Sequence, residues 1–429
     1  MFSCGADNGV QAKNKPHAHI ERRGEHAGAA TGQGIGRRLF RPLTWMSVVV
    51  ALFVALPGLP RAQSLPALPP PVRTVAIGQG LPSITVAPAK FIAYPEATNP
   101  HRQAPFRVDS NAPSLWIEGR LVAFHSWEQI WRASGSGLDR FSADQITSFS
   151  NPKLNYLWFW LESAWQSSHG EIYGWYHQEI PNVCPARTGA AAPGYPVIAK
   201  IGAVRSRDHG LTWDDLGFVI DAPDTDMKCQ SGNAWYAGGA GDFNVYADPH
   251  GKFYYFYYSN FSPQVSEQGL AVARLAAADL DHPGGRVQRW YHGAWSEPGL
   301  GGHATPIFPA AVDIYRADGQ TYWGPVIHWN TYLNKYVMIV NRIQDTRWTT
   351  EGIYLSFSDD VSNPASWSTP VKIMDRDEAT RGDPSKAHWN GWYAQLVGTG
   401  QGETDKLASR TVRLFLDGIS RWEVTFNRP

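Results

Sequence analysis

Neither sign of charge dominates this chain of 429 residues: 38 Lys and Arg stand against 38 Asp and Glu, a formal net charge of +0. A chain without basic excess offers no electrostatic footprint for a phosphate backbone, so no nucleic-acid partner is expected. Cysteine is scarce, with 3 in all, which excludes a disulfide-dense framework. No compact cysteine or histidine metal spacing is present, and neither a metal site nor a cofactor is expected. Long apolar runs are also missing, with one exception, the stretch MSVVVALFVALP from Met46 to Pro57. It falls short of the roughly 20 residues that span a bilayer.

That run follows the basic string GRRLFRP and precedes GLPRAQS, the layout of a secretory signal with cleavage after Ala62. Arg37-Arg38-Leu39-Phe40 is similar to a twin-arginine export signal, although a general export signal and an uncleaved anchor stay open. Cleavage removes 8 of the 38 basic and 3 of the 38 acidic residues, leaving 30 against 35 and a net charge of −5. The mature protein is expected in the periplasm or outside the cell, as a monomer without stable membrane insertion. Cys4 leaves with the signal. Cys184 and Cys229 remain, and an oxidising compartment favours pairing them, with two free buried thiols as the alternative.

What the chain has in abundance is aromatics and turn formers: 19 Trp, 18 Tyr, 18 Phe, 41 Gly and 31 Pro. Such a composition suits many strands and many turns. Residues 63–90 are Pro-rich and short of charge, and read as a linker or arm. From 91 to 429 the pattern stays uniform, which indicates one domain.

Within it one element recurs: an apolar strand, a Gly or Asn turn, and an aromatic strand. It occurs as SLWIEGRLVAFHSW, WLESAWQSSHGEIYGWYH, FNVYADPHGKFYYFYYS and VIHWNTYLNKYVMIVNR, with a poorer copy in WNGWYAQLVGTG and TVRLFLDG. A second element, a small-residue strand, a polar turn and a Trp, occurs in IGAVRSRDHGLTWDDLGFVI and IYLSFSDDVSNPASWSTPVKI. The recurrence predicts an all-β fold, a five-bladed β-propeller of four-stranded antiparallel blades. The last strand, SRWEVTF, would close the ring against an early strand near KFIAYP. A two-sheet sandwich explains the alternation but not the recurrence.

The stretch SRDHGLTW predicts a hairpin turn in which Asp208 accepts backbone N–H groups, Gly210 supplies a positive φ and Trp213 is buried. Its Ser206, Asp208, Gly210, Thr212 and Trp213 resemble the Asp-box of sialidases and other propellers, which implies the outer hairpin of a blade.

A propeller binds ligands where its innermost strands converge, so the openings of the recurring elements supply the candidates. These are Asp109 in RVDSNAPSLW, Glu162 in WFWLESAW, Asp242 in GGAGDFNVYAD, His328 and Trp329 in YWGPVIHWN, and His388, Trp389 and Tyr393 in KAHWNGWYAQL. Carboxylates around an aromatic-lined centre are what glycoside hydrolysis needs: one protonates the leaving oxygen, another activates water or attacks the sugar. Glu162, among Trp158, Trp160 and Trp165, suits an acid whose pKa burial raises. Asp109 suits the ionised base. His177 and Glu179 in YGWYHQE are two apart, share one face of a strand, and could bind sugar hydroxyls or form a plain surface pair.

In pattern, residues 95–429 resemble the five-bladed glycosidases around glycoside hydrolase families 43 and 117. The resemblance implies a secreted glycoside hydrolase acting on a poly- or oligosaccharide, with Asp109 as general base and Asp242 as the group that sets the acid's pKa. The family 43 acid, a Glu opening the fourth blade, has no counterpart in GPVIHWN. Glu162, Glu351, His303 and His328 are the alternatives for it. Without an acid the chain would be a glycan-binding propeller, and apolar patches on its faces would instead indicate a protein-interaction scaffold.

Overall fold

Among the described residues, aromatic and β-branched residues alternating with small and polar ones form strands, most of them paired antiparallel. The computed structural model describes residues 72–95, 108–127, 129–155, 158–222, 227–381 and 391–429. The expected export signal and its expected cleavage site lie outside the described residues, as do His388 and Trp389. Among the described residues the one α-helical stretch is Arg376–Ala379, and no helix is long and apolar enough to cross a membrane.

The strands form antiparallel sheets in chain order. The first sheet holds Ser114–Ile117, Arg120–Trp127, Gln129–Gly135 and Phe141–Ile146. An 11-stranded sheet follows, and it divides where Val197–Ala199 runs parallel to Tyr236–Gly239. One part is Phe159–Gln166, Ile172–Ile180, Val197–Ser206 and Thr212–Ile220. The other is Tyr236–Ala247, Phe253–Asn260, Gly269–Ala276 and Gln288–Tyr291, with Ala294–Pro298 on its edge. Tyr322–Asn330, Lys335–Ile343, Thr350–Ser358 and Val371–Asp375 make the next sheet. The last contains Gln395–Gly398, Thr411–Leu416 and Ile419–Asn427.

The first strand of each sheet packs against the first strand of the next, which is the radial order of a β-propeller. Polar bonds tie these inner strands together. Ser163 Oγ accepts from the Val245 N–H at 3.1 Å, Asn244 Oδ1 accepts from the Ile327 N–H at 3.3 Å, and Gln395 Nε2 donates to the Ala112 carbonyl at 2.9 Å. The last of these joins the final sheet to the first.

Of the stretch 63–90, expected as a linker or arm, residues 63–71 lie outside the described residues, and the described part from 72 on contains sheet strands before residue 91. Arg73–Ala76 and Ser83–Ala93 are strands, and Ser83–Ala93 pairs antiparallel with Ile419–Asn427. Ile84 and Val86 alternate into the core at 0% exposure, and burying them outweighs the Pro-rich composition. The pairing shifts register between Pro88 and Ile92, so the ladder tolerates a residue that cannot donate. The early strand near KFIAYP thus does meet SRWEVTF and ties the two ends of the domain together.

Residues 206–213 form the turn between Val197–Ser206 and Thr212–Ile220. Asp208 accepts the Leu211 and Thr212 N–H groups and the Thr212 hydroxyl, and Ser206 Oγ accepts the Gly210 N–H at 2.8 Å. Gly210 has a φ of +83°, and a Cβ there would meet Phe124 at 2.3 Å. Trp213 is buried edge-on against Phe124, with ring centroids 5.4 Å apart.

Candidate active site

Two inner strands carry an extra residue. Pairing of Phe159–Gln166 with Ile172–Ile180 slips between Leu161 and Ser163, and pairing of Tyr236–Ala247 with Phe253–Asn260 slips between Gly241 and Phe243. The unpaired residues are Glu162 and Asp242. A bulge re-aims the side chain it carries, and Asp242 adopts a φ of 41°, a region that Asp tolerates better than most residues. Tyr322–Asn330 slips between Trp323 and Val326, at Gly324 and Pro325, where there is no polar side chain to re-aim.

Both bulged carboxylates converge on His177, and all three residues are buried. His177 Nδ1 lies 3.4 Å from Asp242 Oδ1 and 3.6 Å from Glu162 Oε1. Glu162 Oε2 accepts the Phe243 N–H at 2.6 Å, and Asp242 Oδ2 accepts the Tyr236 hydroxyl at 3.1 Å. Gly241 makes this approach possible, since a Cβ there would sit 2.6 Å from His177 Cε1. The small-residue run GGAGD leaves room for such contact.

Above the trio opens a narrow cavity. Between its walls lie about 370 Å³, of which only about 20 Å³ can take the centre of a water molecule. Asp109, His177 and Glu179 face it, and Trp160, Tyr195, Trp235, Tyr236, Trp323, Trp348, Trp392 and Tyr393 wall it. His177 and Glu179 share one face of Ile172–Ile180, as their spacing predicts. Glu179 Oε2 accepts the Tyr195 hydroxyl at 2.7 Å, and its Oε1 lies 3.8 Å from His177 Nε2. Asp109 is held from behind. Its N–H donates to the Ser126 carbonyl at 2.9 Å, and Asn111 Nδ2 donates to the Phe243 carbonyl at 3.0 Å. Cys184 and Cys229 are bonded, with Cα atoms 5.4 Å apart, and join the segments that lead to Tyr195 and Trp235.

Burial, then the charges of Glu179 and Asp242, push the Asp109 carboxyl up to about 8. Glu162 is pushed up to about 7, chiefly by burial and further by Asp242, while the His177 contact pulls it down. Glu179 is raised by burial, against the lowering pull of His177 and the Tyr195 hydroxyl. Burial alone would lower His177, but the carboxylates of Asp242 and Glu162 outweigh it and hold the imidazole well above its ordinary value. In the neutral ring the Asp242 N–H donates to Nδ1 at 3.2 Å; in the imidazolium that nitrogen carries a proton facing the two carboxylates. Glu162, His177 and Asp242 are close enough to hold a metal ion, with donor atoms within 4.8 Å of one another. Both protonation states use the Nδ1 lone pair, so the trio suits a proton better than an ion.

The placement departs from expectation in several ways. Glu162, expected as the acid, is sealed beneath the cavity floor together with Asp242, at 1% and 0% exposure. Asp109 and Glu179 are the carboxyls that reach the opening. His328 is buried away from it, pushed down to about 3 by desolvation, with Nε2 3.4 Å from Asn330 Nδ2. Trp329 packs on Tyr336 at 4.7 Å, and its N–H donates to the Lys406 carbonyl. Both follow Trp323 along the same strand, and Trp323 is the residue of that strand at the cavity. Glu351 lies in a separate surface depression, bonded to the Tyr354 hydroxyl and paired with Lys372. His303, half-exposed, pairs with Glu267 at 2.7 Å, also outside the cavity. The sequence reading missed Tyr195, Trp235, Tyr236, Trp323, Trp348 and Trp392 at the site. The Gly-Pro step after Trp323 was an available bulge signal.

No protein-family model and no curated protein sequence matches this chain. Among solved structures it is similar to an exo-β-1,3-galactanase from Phanerochaete chrysosporium, with a TM-score of 0.43 and 11% identity over 78% of this chain and 63% of that one. It is also similar to a putative exo-β-1,3-galactanase from Bifidobacterium bifidum, with a TM-score of 0.44 and 12% identity over 79% and 92%. An endo-arabinase from Bacteroides thetaiotaomicron gives 0.44 and 12% over 75% and 94%. The chain spans 63% of the fungal galactanase's length.

Proposed function

We propose that the chain is an exported glycoside hydrolase built on a five-bladed propeller, acting on a poly- or oligosaccharide with Asp109 and Glu179 as its acid/base pair. The observation that carries this reading is that these two carboxyls alone among the four clustered ones face the aromatic-lined cavity. Asp109, raised to about 8, keeps its proton at neutral pH and can deliver it to the leaving glycosidic oxygen. Glu179, held by the Tyr195 hydroxyl, is the member better kept ionised, and activates water or attacks the sugar carbon. This exchanges the role first expected of Asp109. Glu162, His177 and Asp242 sit beneath as positioning residues that set the charge under the pair. Aromatic faces along the walls suit the apolar face of a sugar ring.

The narrowness of the cavity favours a second reading, a non-catalytic module that grips one terminal sugar. A panel of polysaccharides and chromogenic glycosides, assayed for released reducing ends with wild type and Asp109→Asn, separates the two. Cleavage lost in the variant supports the enzyme. Binding without cleavage by wild type supports the module.

A further inference from the structure

We infer that the cavity selects a sugar bearing a free ammonium group, an amino sugar at a chain end, over neutral, N-acylated and anionic sugars. This rests on the reading of the same cavity as a glycosidase site and names its substrate class.

Charge comes first. Asp109, Glu162, Glu179 and Asp242 surround a single imidazole, and no Lys or Arg is among the described residues that line the cavity. With Asp109 and Glu162 holding their protons at pH 6, the carboxylates of Glu179 and Asp242 still outnumber the one imidazolium, and they leave negative charge uncompensated in a site largely closed to solvent, where it is weakly screened. A uronate or sulfated sugar would add to it. A cation would offset it.

The walls point the same way. Trp323 meets Tyr393 edge-to-face with centroids 5.3 Å apart, and Trp235 meets Trp392 edge-to-face at 5.4 Å. Aromatic faces around a small space attract cations through the ring quadrupole, and carboxylates at the bottom add to that field.

Several polar atoms at the site lack a hydrogen-bond partner, Trp323 Nε1, Trp348 Nε1 and His177 Nε2 among them. His177 Nε2 is buried, makes no hydrogen bond, and belongs to a ring that lines the cavity. Protonated, it would donate to a ligand oxygen beside Glu179, whose Oε1 is 3.8 Å away. A vicinal amino alcohol matches both groups: the ammonium meets the Glu179 carboxylate, and the neighbouring hydroxyl meets Nε2–H. N-acylation would remove the charge.

The test is tryptophan-fluorescence titration of the intact domain at pH 6 with glucosamine, glucose, N-acetylglucosamine and glucuronate. Tetramethylammonium and tert-butanol serve as charged and neutral probes of similar size. Glucosamine should bind on the order of tenfold more tightly than glucose, the scale of one desolvated cation–π contact. Tetramethylammonium should exceed tert-butanol, and glucuronate should not bind. Glu179→Gln should erase the preference; if it fails to fold, Glu179→Ala replaces it. Equal or tighter binding of glucose, measurable binding of glucuronate, or no binding of any sugar would overturn the inference. Cleavage of neutral glycosides with no ammonium preference would discard the inference and leave the hydrolase reading intact. An ammonium preference with no glycoside cleaved would do the reverse.

Discussion

Gly241 lies so close to His177 that a Cβ on it would stand 2.6 Å from Cε1 and 2.8 Å from Nε2. The contact fixes the imidazole between the carboxylates of Glu162 and Asp242. Gly241→Ala should therefore displace the ring, with an overpacking cost of about 1–3 kcal/mol. Denaturant unfolding measures it. Gly284→Ala is the matched control, since nothing lies within 4 Å of a Cβ there. Equal stability of the two variants would show that His177 is not held by this contact.

Stability should fall as pH rises. Asp109, with its carboxyl up near 8, keeps a proton that the unfolded chain gives up near pH 4. Over that window the native state binds more protons than the unfolded state, so unfolding free energy declines with pH. His177 acts in the same direction. Its raised pKa stabilises below about pH 6.5, the unfolded value, and that stabilisation is lost as pH climbs through the folded value. Thermal melts from pH 4 to pH 9 should show a declining Tm, and Asp109→Asn should flatten the slope between pH 4 and pH 8. A Tm that rises across this range would contradict the charge assignment.

The Cys184–Cys229 bond spans 45 residues of sequence and tethers the approaches to Tyr195 and Trp235. Closing a loop of that size restricts the unfolded chain and contributes about 2–4 kcal/mol. Cys184→Ser with Cys229→Ser should lower stability by that order. It should also raise KM more than it lowers kcat, because the bond supports the cavity wall rather than the carboxyls. Melts and steady-state kinetics on the same preparation check both.

Much of the architecture was legible. Each of the recurring strand pairs read from sequence, from SLWIEGRLVAFHSW to TVRLFLDG, lies in the inner part of a sheet, because alternation and turn chemistry are local signals. The SRDHGLTW turn was legible for the same reason. Ser83–Ala93 was not, since its prolines mask a strand that only its partner Ile419–Asn427 explains. At the site, sequence found Asp109, Glu162, Asp242, His177 and Glu179 but could not rank them by depth. Depth is set by the bulges at Glu162 and Asp242, and a bulge is a property of two strands in register. Trp348 and Trp392 come from loops whose approach to the axis depends on the whole ring, and no local pattern marks them.

Residues that the structure places away from the cavity should be dispensable for chemistry. Glu351→Gln and His303→Ala alter groups on the outer surface of the sheets. Both should keep kcat within about twofold of wild type, as expected of surface sites outside the catalytic pair. A dead Glu351 or His303 variant that still folds would move the acid away from Asp109.

The most direct test of the account is kcat for Asp109→Asn and Glu179→Gln on the glycoside that wild type cleaves best, with folding verified by circular dichroism. A positioned acid or base is worth about 10²–10⁴-fold in rate, and each variant should lose that much. Folded variants of both residues that turn over as fast as wild type would contradict the assignment of catalysis to this cavity.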